Sequence, residues 1–199
     1  MKRLLLDSST NLLYVGIAED EKLIDQLTRI GKNDHSRHFV EKVHELLKRN
    51  NISIGEIEEI IVGFGPGSYT GLRVCVTVSK VLAYTKNIKL SAVSSLYFLS
   101  SGIEGKKAPM IDARNNNVFC GIYNGKKTIL KDALRDIETF KKEAEKHQAE
   151  LALLSGENYN VSVAEILKKK EEVKDVHNFT PNYLRKSQAE RNLWLDMQP

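Results

Sequence analysis

An unbroken apolar run, Ile60-Ile61-Val62-Gly63-Phe64, leads directly into Gly65-Pro66-Gly67-Ser68-Tyr69-Thr70-Gly71-Leu72-Arg73, and no other junction constrains the chain so far. A run of this length bounded by glycine and proline reads as a buried strand. Three glycines within seven residues ask for positive φ or for close backbone approach, while Pro66 stiffens the turn and Ser68 and Thr70 are placed to cap a helix. The expected unit is strand, glycine turn, helix. Its bared N–H groups and the helix dipole favour a phosphate or a carboxylate, and the same turn also serves as a plain strand-to-helix connection.

The turn matches neither familiar nucleotide pattern. A P-loop needs Gly-Lys followed by Ser or Thr, whereas Gly71 is followed by Leu72 and Arg73. Gly65 and Gly67 fit the first two positions of the dinucleotide fingerprint, but the third falls on Thr70. Asp7-Ser8-Ser9-Thr10 closes the first apolar run and places a carboxylate and hydroxyls where phosphates and magnesium would be met. It is also a good turn sequence. His35 and His38 are three apart at a helix start, with no paired carboxylate or second ligand cluster, so no metal is assigned. No serine has the histidine and acid spacing of a nucleophile, and no catalytic residue is assigned.

The chain has 199 residues, 41% of them hydrophobic, which is enough for one good core or two small lobes. Its formal charge of +4 comes from 30 basic and 26 acidic residues dispersed along the chain, too mild for a nucleic-acid binder by itself. Only three leucines separate Met1-Lys2-Arg3 from Asp7, so no signal peptide is expected. The least polar uncharged stretch, Leu90 to Ile103, has 14 residues and five serines, too short and polar to span a membrane. Cys75 and Cys120 lie in apolar contexts that suit reduced thiols, and a cytoplasmic location is expected.

Patterning orders the rest. Strands are expected at 4–6, 12–18 and 23–30, followed by a helix from His35 to Arg49, capped by Asn33 or Asp34, with Phe39, Val40, Val43, Leu46 and Leu47 on one stripe. After the glycine turn, the helix from Gly71 to Tyr84 is apolar nearly all round, which places it deep in a core or at a subunit interface. A strand at 88–93 and a helix from Ser94 or Ser95 follow, and a small-residue stretch at 100–107 marks a boundary. Beyond it, strands are expected at 108–111, 118–123, 127–130 and 151–154, helices at 137–147 and 161–170, and a partly helical arm from Pro181 to Leu195.

Four segments in this order resemble the TsaB family, the bacterial partners of the tRNA threonylcarbamoyladenosine-forming protein TsaD. They are Leu5-Leu6-Asp7-Ser8-Ser9, His35-Ser36, the Gly65 to Arg73 signature and Asp112-Ala113-Arg114. The tail is similar too, through Pro181, Tyr183-Leu184-Arg185 and Ser187 to Glu190. The resemblance implies an α/β fold of the two-lobed actin-like ATPase and sugar-kinase (ribonuclease H-like) type. Residues 1–103 would form the first lobe and 104–199 a smaller, degenerate second lobe with a C-terminal arm.

It further implies a non-catalytic protein required by TsaD when threonylcarbamoyl is transferred to the tRNA adenosine next to the anticodon. Asp7, Ser8, Gly65, Gly67, Ser68, Thr70 and Gly71 would be a degenerate phosphate loop. Phe39, Val43, Leu47, Val76 and Lys80 would be exposed contacts on the paired helices that meet TsaD. TsaE would be a further partner, tRNA would be met only through the complex, and the chain alone would form a homodimer. No cofactor is expected on this chain, with ATP and a divalent metal on the partner subunits. The alternative is an ATP-binding kinase or ATPase that keeps Asp7 and the glycine turn for phosphate.

Overall fold

Lys2–Asp7 forms strand β1, and its Leu4, Leu5 and Leu6 are all fully buried in the computed structural model, which describes residues 1–31 and 34–184. Such a run needs cover on both faces. The chain supplies it with β2 (Leu12–Glu19), β3 (Lys22–Ile30), α1 (His35–Arg49), a 3-10 turn (Ile54–Glu56), β4 (Glu59–Gly63), α2 (Tyr69–Lys86), β5 (Lys89–Val93) and the short α3 (Ser95–Ser100). Leu4 and Leu6 join the core that also holds Phe39, Val43 and Leu46 of α1 and Cys75 and Val76 of α2. Leu5 points the other way, into a core with Tyr97 and Phe98 of α3.

A second set of elements follows: β6 (Lys106–Asp112), β7 (Asn117–Asn124), β8 (Lys127–Asp136), α4 (Ile137–Lys146), β9 (Glu150–Leu153), α5 (Val163–Lys169) and β10 (Glu171–Glu172). The strands make two sheets, ordered β10-β5-β4-β1-β2-β3 and β8-β7-β6-β9. In the first, β1, β4 and β5 run parallel, with Leu4 opposite Ile60 and Ile61 opposite Ser91, while β2 and β3 are an antiparallel meander. This is the ribonuclease H-like arrangement. In the second, β6 runs antiparallel to β7 and parallel to β9.

The sheets share one core. Leu5, Tyr14 and Ile61 from the first meet Ile111, Phe119 and Tyr123 from the second, with α3 between them. Every residue of α3 is buried, serines included, because each hydroxyl finds backbone: Ser100 Oγ donates to Leu96 O and Ser95 Oγ accepts from Gly65 N. Lys107 of β6 is buried too, its Nζ donating to Ser101 O and Ile103 O just past α3, and burial pushes its pKa down to about 8. A separate small core under α4 contains Phe140, Ala144 and Cys120.

Two expectations differ. Asp34 sits at the N-cap of α1 but makes no side-chain cap bond, since Arg29 takes both of its oxygens in a charge-assisted fork. Asn33, the other capping candidate, lies outside the described residues. The arm, assigned to the second lobe, returns to the first. There β10 pairs with β5, Val173 N donates to Leu90 O, and Val173, Val176 and Phe179 pack on the core beneath α2. Buried Glu59 anchors this return, bonded to Arg3, Ser91 and Lys170. The expected helical pattern and family-like residues from Arg185 to Leu195 lie outside the described residues.

Candidate functional site

The ends of parallel strands β1 and β4 bring the Asp7 turn and the glycine turn together, as the resemblance implies for a phosphate loop. The two turns are closed on each other. Ser68 N donates to Ser9 O at 2.6 Å, and Ser8 Oγ donates to Gly71 O at 2.8 Å. Gly65 N donates to Ser95 Oγ, Gly71 N to Ser68 Oγ and Leu72 N to Ser68 O. The N–H groups of Gly65, Ser68, Gly71 and Leu72 are therefore taken by the protein itself. Thr70 is exposed at the first turn of α2.

This contact explains the glycines. A Cβ on Gly71 would lie 1.9 Å from Ser8 O, and one on Gly67 would lie 2.3 Å from Ser9 O. Gly65 has φ +118, and a Cβ there would lie 2.2 Å from Asn182 O, because the arm crosses the turn with Asn182 N donating to Phe64 O. The close approach is of backbone to backbone.

Asp7 is fully buried. Its Oδ1 accepts from Ser9 N and Ser9 Oγ, while its Oδ2 has no hydrogen-bond partner and lies 1.9 Å from where a Cβ on Gly63 would stand. Burial raises the pKa to about 6, partly offset by the Ser9 groups and the nearby Ser95 hydroxyl. A carboxylate so enclosed does not fit a metal-binding role. Among the described residues no group of three or more His, Cys, Asp or Glu side chains is arranged to hold a metal ion. His35 is buried with Nε2 3.2 Å from Thr10 O, and desolvation lowers its pKa. His38 turns away to Asp34 and Glu41.

The second-lobe loop Ser155 to Asn158 meets the first lobe directly. Gly156 N donates to Asn11 Oδ1 at 2.7 Å, and a Cβ on Gly156 would lie 2.7 Å from Ile30. The loop is thus a contact between lobes. Asn11, Ser95 and Asn182 carry this arrangement; the sequence marked Ser95 only as a helix start and did not single out Asn11 or Asn182. Ser95 had a signal, as a serine just after an apolar strand, whereas nothing near Asn182 foretells a partner more than a hundred residues away.

The helix positions require correction. Phe39 is fully buried, and Val43, Leu47 and Val76 are 5%, 7% and 2% exposed, so they are core and not exposed contacts. An apolar stripe marks the face that packs, and here the sheet takes it. Lys80 is occupied within the chain, its Nζ donating to His177 O and Phe179 O of the arm. The helices leave other apolar groups open: Val40 on α1 at 63%, and Val81 and Tyr84 on α2 at 54% and 66%. Val74 and Val78 of α2 are half-buried beside them.

Residues 28–138 match the family model described as TsaD, tRNA N6-adenosine threonylcarbamoyltransferase. The tRNA threonylcarbamoyladenosine biosynthesis protein TsaB of Bacillus subtilis (strain 168) is 29% identical, with 100% of each chain covered. The protein of the same name from Escherichia coli (strain K12) is 25% identical over 64% of this chain and 61% of its own. Among solved structures, YeaZ from Pseudomonas aeruginosa superposes with a TM-score of 0.64 at 24% identity, over 68% of this chain and 67% of that one. An uncharacterized protein with similarity to peptidase YeaZ from Pseudomonas aeruginosa gives 0.74 at 22% identity, over 92% and 99%. The last two share the fold.

Proposed function

The chain belongs to the TsaB family, within the wider family of tRNA N6-adenosine threonylcarbamoyltransferases, and from that premise we propose that it is a non-catalytic subunit that supports TsaD during threonylcarbamoyl transfer. One observation supports the non-catalytic part: Ser68 N, a donor of the glycine turn, is spent on Ser9 O rather than left open for an anion. A phosphate held at this turn would need its donors free, and a magnesium ion would need a carboxylate open to it. Asp7 is enclosed instead.

Its contribution is a surface. The open face of α1 and α2, with Val40, Val81 and Tyr84 exposed, supports TsaD binding better than the buried positions do. The same face supports self-association when the chain is alone. TsaE joins the assembly, tRNA is met through the complex, and ATP and a divalent metal sit on the partner subunits. No helix among the described residues is long and apolar enough to cross a membrane.

Reconstitution tests this reading. TsaD, TsaE, tRNA and the threonylcarbamoyl donor are combined with and without this chain, and modified adenosine is measured. Modification is expected to depend on the chain and to survive Asp7→Asn. Equal modification without the chain, or nucleotide turnover by the purified chain that Asp7→Asn abolishes, would overturn it.

A further inference from the structure

A cavity of about 520 Å³ opens between the end of β5 and the β7–β8 hairpin, on the side of the molecule where the arm returns. Its volume suits a small molecule. On its lining, Asp132 accepts from Ser94 Oγ at 2.5 Å and from the Tyr123 hydroxyl, so these groups satisfy one another. Lys169 Nζ is held by Lys126 O and Thr128 Oγ1 over the Tyr123 ring, and Glu172 is paired with Lys89.

What remains unsatisfied points to a ligand. Lys131 and Lys174 both line the cavity, and neither ammonium has a carboxylate or carbonyl partner among the described residues. With Glu172 bridged to Lys89, the lining sets the ammonium groups of Lys131, Lys169 and Lys174 against the carboxylates of Asp132 and Glu171, so its charge is net positive. The opposite character is supplied by Phe64 and Phe179, whose rings lie 5.9 Å apart at the wall. Flat apolar surface beside uncompensated ammonium groups is the complement of an aromatic acid.

We propose that this cavity binds a small molecule in which a flat ring carries a carboxylate or a phosphate, the ring meeting Phe64 and Phe179 and the acid meeting Lys131 and Lys174. The site is separate from the glycine turn, where the N–H groups of Gly65, Ser68, Gly71 and Leu72 are already used, and it stands whether or not the subunit assignment does.

Calorimetry on the full chain tests it with benzoate, phenyl phosphate, neutral benzyl alcohol and inorganic phosphate, without partners or tRNA. At least one aromatic acid is expected to bind about tenfold more tightly than both benzyl alcohol and inorganic phosphate, and the tighter of the two acids identifies the anion. The double variant Lys131→Ala, Lys174→Ala should lose about tenfold in affinity with its unfolding midpoint unchanged, since both side chains are exposed. Val173→Trp, which fills the cavity from the arm, should abolish binding. The proposal is overturned if no aromatic acid binds by about 10 mM. It is equally overturned if inorganic phosphate binds as tightly, or if the double variant keeps full affinity.

Discussion

Asp7 is a carboxylate at the end of a strand, where the sequence pattern offers phosphate chemistry and the packing supplies an enclosure. Asp7, Ser8 and the glycines lie together because parallel strands deliver their ends to the same edge of a sheet. The sequence did not show that the turns face each other, since Gly67 and Gly71 serve a neighbouring carbonyl as well as they would a phosphate oxygen. The enclosure has a pH signature. The folded-state pKa, about 6, lies above the ordinary value of 3.8, so the folded state holds the proton more tightly. The stabilisation is full below about pH 4 and is lost as pH rises through 6, an effect on the order of 3 kcal/mol. Asp7→Asn keeps an acceptor for Ser9 and removes the charge. Urea midpoints at pH 5 and 7.5 should show Asp7→Asn gaining on the parent at the higher pH. An unchanged difference between the two pH values would count against a buried, titrating Asp7.

At the scale of elements, α1 matched its expected bounds because its stripe and flanks agree, and α2 extended two residues beyond each expected end. A period of 3.6 identifies an amphipathic face without saying what covers it. Phe39, Val43, Leu47 and Val76 were legible as a stripe, and the sheet proved to be its cover. The informative positions are those that break the pattern, apolar and still exposed. Val81→Glu on α2 places a charge where Val81 is 54% exposed, so thermal unfolding should move little, by within about 0.5 kcal/mol. Co-purification with TsaD should be lost, because a charge desolvated at an interface without a partner is costly. Retained binding by Val81→Glu would move the contact to another face.

The whole molecule is nested. The first sheet is begun by residue 2 and finished by β10 and the arm, so the second sheet is an insertion between α3 and α5. Strand spans near the N-terminus were readable from apolar runs, whereas a two-residue strand and an extended arm have no period to read. They are fixed by contacts distant in sequence, such as Lys80 with Phe179 and Phe64 with Asn182. A chain ending at Lys170 should lose on the order of 3 kcal/mol, the burial of Val173, Val176 and Phe179, with a matching drop in urea midpoint. An unchanged midpoint would make the arm dispensable. Chain order also sets a schedule. During synthesis α1, α2 and the glycine turn leave the ribosome first, yet the segment that fastens them leaves only after the entire second sheet. The oldest part of the nascent chain is completed late, and a partner that recognises α2 in its finished form can bind only after the arm has emerged.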